Sequence, residues 1–279
     1  MTFGKLVRFA VGGVGVVYAG LAALVFAKQR DILFPAATNA PREVTMPEGK
    51  VVRIAAAGRE VFALHAPAKQ TDAPTLVFFH GNGEQLGDLP DILRLFTAHG
   101  LGAYAIEYPG YGLAQAQSVS EAAIYEAAEA GLVHLEKELG VPRERTVLVG
   151  QSIGSGAATE MARRGYGAKL VLISPYTSIP DMARVVLRIF PGSLLVRDRF
   201  DNAAKAPGIA LPVLILHGAA DELIPLAMGQ KLAAMFPHAQ LAVVEGGHHG
   251  DLFLRDDDFV PAAIARFVAF PTTPQNAGR

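Results

Sequence analysis

Four short stretches of the chain hold the residue types that could do chemistry together. TVLVGQSIGSG places Ser152 between Gly150 and Gly154, and FFHGNG carries His80 and Asn82. PVLILHGAADELIP carries Asp221, and VVEGGHHGD ends in the pair His248–His249. A serine hydroxyl is a weak nucleophile until a base takes its proton and donors stabilise the oxyanion that forms. A histidine can be that base, and a carboxylate can orient it and stabilise its imidazolium. Ser152, His249 and Asp221 are therefore the expected nucleophile, base and acid. The backbone amides of Asn82 and Ile153 are the expected oxyanion donors. His80 reads as a brace for its loop rather than as a base. Glu222, next to Asp221, faces elsewhere. His248 is the rival to His249, and consecutive residues leaving a strand point in different directions, so only one of them can reach Ser152 and Asp221 together.

The glycines around Ser152 point to a particular corner. Thr146 to Val149 is a run of β-branched and apolar residues that reads as a buried strand, and a helix begins at Ile153. Turning from strand to helix within one residue strains the residue at the corner and crowds the neighbours two positions away. Gly150 and Gly154 remove the side chains that would clash, and Ser152 is lifted out with the positive end of a helix beneath it.

The elements that must hold these residues alternate along the chain. VVRIAAAG and REVFALHAPA read as an antiparallel hairpin. TLVFFH, GAYAIEY, TVLVG, KLVLIS, PVLILHG and QLAVVEG read as buried strands with helices between them. The helix from Ser120 to Leu139 sets Ile124, Ala128, Leu132, Leu135 and Leu139 on one face. Continuous apolar strands separated by helices predict an α/β fold, a mostly parallel central sheet covered on both faces. Ligands of such sheets collect at the carboxyl ends of the strands, where all four stretches lie. The segment 175–211, between KLVLIS and PVLILHG, reads as a short helical lid. Its apolar residues Met182, Val185, Val186, Leu187, Ile189 and Phe190 favour acyl substrates over hydrophilic peptides.

Composition narrows the partners. The chain has 279 residues with a net charge of −1, which gives no electrostatic reason to expect nucleic acid. It has no cysteine, hence no disulfide and no thiolate metal site. No metal or organic cofactor is expected. The catalytic domain is expected over 51–271, with a linker at 31–50 and a disordered tail at 272–279.

The N-terminus predicts a different environment. Phe9 to Ala27 is uncharged, between Lys5 and Arg8 on one side and Lys28 and Arg30 on the other. As a helix it is about 28 Å long, close to the roughly 30 Å of a bilayer core. The expectation is a single-pass membrane anchor within residues 1–30, with a cleaved signal peptide as the alternative. Positive charges before and after the segment bias the N-terminus inward and the catalytic domain outward. No catalytic element is expected before the first strand.

Taken together, HGNG, GQSIGSG, HGAADELIP and EGGHHGD resemble the α/β-hydrolase superfamily. QRDILFP behind the anchor and EYPGYG after a strand resemble its membrane-anchored, small-lid branch of lysophospholipase-like, serine-aminopeptidase-like and acyl-thioesterase hydrolases. The resemblance implies an α/β-hydrolase fold and cleavage of esters or thioesters of acyl, lipid-like substrates through an acyl-enzyme. It sets His249 on the catalytic position. His248 stands where relatives carry glycine, and Gly250 where they carry asparagine. The alternatives are a peptidase or amidase acting on small peptides and a catalytically silent, membrane-tethered binding module.

Overall fold

The computed structural model describes residues 3–35, 39–56, 58–186, 196–255 and 258–269. Eight strands form one sheet: β1 (Lys50–Ala56), β2 (Arg59–Ala66), β3 (Thr75–Phe79), β4 (Gly102–Ile106), β5 (Thr146–Gln151), β6 (Lys169–Ile173), β7 (Val213–Gly218) and β8 (Ala239–Val244). Their spatial order is β1-β2-β4-β3-β5-β6-β7-β8. The hairpin β1–β2 is antiparallel and joins the sheet antiparallel to β4; every later pairing is parallel. Strands β3, β6 and β7 are buried along their whole length and β5 up to Gly150, which is why they read as unbroken apolar runs. This is the mostly parallel α/β sheet that the alternation of elements predicts, in the α/β-hydrolase arrangement that the resemblance implies.

Helices cover both faces: α2 (Pro90–Ala98), α3 (Glu121–Lys137), α4 (Gly154–Arg163), α6 (Leu226–Ala233) and α7 (Phe259–Ala269), with α1 (Phe3–Leu33) before the sheet and α5 (Ile179–Val186) between β6 and β7. Ser120 caps α3 by accepting from the Ala123 amide at 3.1 Å. Helix α3 buries Ile124, Ala128, Leu132 and Leu135, the apolar face read from the sequence. One core cluster packs Val77, Ile106 and Leu148 against α3 and α4; the other packs Phe78, Val149 and Leu216 under α2 and α7.

Helix α1 differs from the expectation at its end. It runs on past Ala27 to Leu33, so part of the expected linker is helical. Its last turns are fastened to the catalytic domain. The Arg30 guanidinium pairs with the buried Asp198 carboxylate at 2.7 Å, and that hydrogen bond raises the Arg30 pKa further. Gln29 Oε1 accepts from the Arg197 amide at 2.8 Å, and the Arg197 guanidinium lies over the Phe26 ring at 4.2 Å. Phe34 is buried and meets Phe200 edge-on. These polar and aromatic contacts made by residues 26–34 explain why the chain stays helical here instead of loosening into a linker.

Among the described residues no helix is long and apolar enough to cross a membrane. Much of the Phe9–Gly15 stretch of the expected span lies outside the described side chains. So do Leu187, Ile189 and Phe190 of the lid, and the tail from 272.

Candidate active site

The corner at Ser152 has the strain the glycines imply. Ser152 adopts φ of +52°, a left-handed conformation that a residue with a side chain rarely holds without support. Its amide donates to the Ile173 carbonyl at 2.9 Å, tying the corner to the neighbouring strand. A Cβ on Gly150 would stand 2.5 Å from the Gly154 carbonyl oxygen, and one on Gly154 would stand 2.1 Å from the Phe79 carbonyl oxygen. Both positions are closed to any other residue, so the start of α4 sits directly against the end of β3.

That close approach brings the loop after β3 to the serine. Ser152, Ile153 and Asn82 line one cavity. Among the described residues no acceptor pairs with the backbone amide of Asn82 or of Ile153, which leaves both free for an oxyanion. The loop is braced from several sides. The His80 Nδ1–H donates to the Gly81 carbonyl at 2.9 Å, while its ring stacks on Tyr108 at 3.9 Å. His80 Nε2 faces the buried Glu107 carboxylate at 3.4 Å. The Gly81 amide donates to Glu84 at 2.6 Å. Asn82 is clamped by its side chain: Nδ2 donates to the Leu33 carbonyl at 2.6 Å, and Oδ1 accepts from the Tyr111 hydroxyl. Burial pushes the Tyr111 phenol up, so it stays a donor at any ordinary pH.

The structure brings Asp221, His249 and Ser152 into one line. The His249 Nδ1–H donates to Asp221, 2.9 Å from Oδ2 and 3.1 Å from Oδ1. A carboxylate accepts only, so the imidazole hydrogen sits on that side and Nε2 is left to accept the Ser152 hydroxyl 3.0 Å away. Asp221 is fully shielded and also accepts from the amides of Leu223 and Ile224 at 3.0 and 2.8 Å. Burial alone would raise its pKa, but the hydrogen bonds from His249 and the Ile224 amide win and hold it below the usual carboxylate value. An ionised carboxylate thus faces the imidazole.

His248 points away, its side chain 58% exposed and its Nδ1 3.2 Å from Glu222. His217 was not singled out in the sequence. Buried behind Asp221, it donates Nε2–H to the Ile224 carbonyl at 2.9 Å, and burial lowers its pKa. Ser155 is buried one turn along α4 with its hydroxyl against Asn202 and takes no part in the line. Among the described residues no three His, Cys, Asp or Glu side chains gather where they could hold a metal ion.

The cavity at Ser152 measures about 340 Å³. Although the nucleophile, acid, base and expected oxyanion amides all follow the first strand, six of the lining residues belong to α1. Ala22, Val25, Phe26, Gln29, Ile32 and Leu33 recur at helical spacing and form one wall, and α5 contributes Ile179, Met182, Ala183 and Val186 to another. That spacing is visible in the sequence, but in a segment apolar on every side no single face stands out.

A family described as "Alpha/beta hydrolase family" matches residues 76–211, and one described as "TAP-like protein" matches residues 196–279. The alpha/beta hydrolase domain-containing protein aho-3 of Caenorhabditis elegans is 33% identical over 184 residues, 64% of this chain and 53% of that protein. The human alpha/beta hydrolase domain-containing protein 17B is also 33% identical, over 64% of this chain and 62% of its own length. The chain thus spans between half and two thirds of these relatives. Among solved structures, the Pyrococcus furiosus esterase Pf2001 superposes with a TM-score of 0.67 at 16% identity, over 82% of this chain and 98% of the esterase. The two matched segments run continuously through the elbow, the lid and the histidine loop, and the chain belongs to the alpha/beta hydrolase family.

Proposed function

We propose that this alpha/beta hydrolase is a serine hydrolase of carboxylic esters or thioesters, acting through an acyl-enzyme. One observation carries the reading: the unbroken hydrogen-bonded line Asp221–His249–Ser152, with links of 2.9 and 3.0 Å. Ser152 Oγ attacks the substrate carbonyl while His249 Nε2 takes its proton. The carbonyl oxygen, now negative, is held by the amides of Asn82 and Ile153. Collapse expels the alcohol or thiol, which receives the proton from His249. Water then attacks the acyl-enzyme with His249 again as base, and the acid leaves. Asp221 keeps Nε2 aimed at the serine and balances the transient imidazolium. The apolar lining beside Ser152 favours an acyl group over a peptide side.

The test is labelling of the purified protein with a fluorophosphonate probe, with and without Ser152→Ala, alongside hydrolysis of p-nitrophenyl esters and of aminoacyl amides. Labelling that depends on Ser152, with esters cleaved faster than amides, is the expected result. Folded protein that neither labels nor hydrolyses is a binding module, and preference for amides makes it a peptidase.

The uncharged run Phe9–Ala27 supports a second part of the reading, an N-terminal anchor with the catalytic domain on the outer side of the membrane. Carbonate extraction should leave the full chain in the membrane fraction. Release into the soluble fraction, with a new N-terminus near Lys28, indicates a signal peptide instead.

A further inference from the structure

Helix α1 presents two apolar faces with different neighbours. Val17, Leu21 and Leu24, spaced four and three apart, are 63%, 48% and 58% exposed. Ala22, Val25, Phe26, Gln29 and Leu33 face the cavity beside Ser152. The polar groups on this inner face are already occupied. Gln29 donates to the Phe26 carbonyl at 2.8 Å and accepts from Arg197, so its methylenes are what remain to face a ligand. The Leu33 carbonyl is held by Asn82, which ties this end of the wall to the expected oxyanion site. Opposite, α5 supplies Ile179, Met182, Ala183 and Val186. The result is a slot lined mainly by hydrocarbon between two helices, with Ser152 in its lining.

From Leu33 back to Ala22 is eleven residues, or about 16 Å along the helix. An extended chain advances about 1.2 Å per bond, a third of the extended peptide repeat, so this wall matches about thirteen bonds. Away from Ser152 and the amides of Asn82 and Ile153, the described residues of α1 and α5 give this slot apolar side chains apart from Gln29, and a peptide backbone laid along them would lose hydrogen bonds it makes with water. Its occupant is therefore a hydrocarbon chain.

We propose that the inner face of α1 is the acyl-chain wall of this hydrolase, so that the N-terminal helix sets chain-length selectivity. The inference rests on the acyl-enzyme reading and gives its substrate class as esters or thioesters of medium-to-long unbranched acids. The exposed outer face of the same helix separates this slot from its surroundings by one helix diameter.

The experiment uses the full-length protein in detergent and reads the ratio of kcat/KM for p-nitrophenyl dodecanoate over butyrate. Val25→Trp and Ala22→Trp fill the slot far from Ser152 and should lower the ratio at least tenfold. Phe26→Ala enlarges it and should move the optimum to a longer chain. Leu24→Trp, on the outer face, should leave the ratio within twofold. Fluorophosphonate labelling of Ser152 confirms that each variant is folded; if the tryptophan variants do not fold, the Phe26→Ala shift decides. An unchanged ratio in the labelled variants overturns the inference and leaves the serine hydrolase standing. Wild-type protein that neither labels nor hydrolyses butyrate overturns both.

Discussion

Replacing Gly154 by alanine sets two effects of opposite sign against each other. Gly154 is the first residue of α4, and alanine is the better helix former by up to about 1 kcal/mol. Helix propensity alone therefore makes Gly154→Ala more stable than the parent. The added Cβ, however, would stand 2.1 Å from the Phe79 carbonyl oxygen and 2.7 Å from that of His80. Ordinary contact begins at 3.4 Å, so the first of these is about 1.3 Å short. The obstacles are backbone atoms at the end of a buried strand, with no flexible side chain to swing aside. Overpacking of this kind costs about 1–3 kcal/mol or more, so the clash should win. At about 2–4 °C per kcal/mol for a domain of this size, Tm should fall by about 2–12 °C. Activity should fall further than stability. To relieve the clash α4 must separate from β3, and β3 leads into the loop that carries Asn82. A separation of about 1 Å between nucleophile and oxyanion donor costs about a hundredfold in rate, or roughly 2.7 kcal/mol. Thermal unfolding and kcat/KM for p-nitrophenyl butyrate read both quantities. Gly208→Ala is the control, since nothing lies within 4 Å of its added Cβ, and its effect should stay within about 0.5 kcal/mol. A Gly154→Ala protein with unchanged or higher Tm and full activity would refute the reasoning that the glycine exists to seat the elbow.

The remaining predictions concern the histidines, the clamp and pH. His249→Ala should lower kcat/KM nearly as far as Ser152→Ala, with the double mutant little worse, because the three side chains act as a unit. His248→Gly should retain at least a tenth of the activity, a loss of at most about 1.4 kcal/mol; the opposite ranking in measured kcat/KM transfers the base to His248. Asn82→Ala keeps the backbone amide but removes the links to Leu33 and Tyr111, and should lower kcat about tenfold with little change in KM; a change confined to KM contradicts the positioning role. Burial lowers the pKa of His217 and of His65, so the folded state binds protons less readily than the unfolded chain. Their contribution to stability is complete above the ordinary histidine value of about 6.5 and is lost as pH falls toward the folded values. Asp221, lowered from the carboxylate value, adds a further loss at still lower pH. Tm measured from pH 8 to 4 should decline from about 6.5 downward; a flat profile between pH 7 and 5 contradicts this.

What the sequence disclosed and what it concealed follow from the range of the forces involved. The elbow was legible because its mark is short: Gly150 must clear the start of α4 and Gly154 the Phe79 carbonyl, and both needs are written in the five residues GQSIG. That only one of His248 and His249 could serve was legible because consecutive residues leaving a strand point apart, whereas the choice of His249 came from the family resemblance; the structure sends His248 to Glu222 and His249 to Asp221. His217 carried no such mark. Its contact with Asp221 and the Ile224 carbonyl is made across a turn whose shape no propensity prescribes. The role of α1 was concealed for a deeper reason. A helix that touches water on one side must be polar there, and the boundary between polar and apolar residues reveals which face is buried. Ala22 to Ala27 is apolar all round, so the face turned to the slot is written in the same residue types as the face turned outward. Only where charge returns does the sequence indicate a direction, and there the signal was short. Arg30 finds Asp198 and Gln29 finds the Arg197 amide, each 168 residues away along the chain. Contacts of that separation are set by the finished fold. A segment that reads as a mere attachment thus lines the cavity beside Ser152, and a chain cut at residue 30 loses Ala22, Val25, Phe26 and Gln29 from that wall.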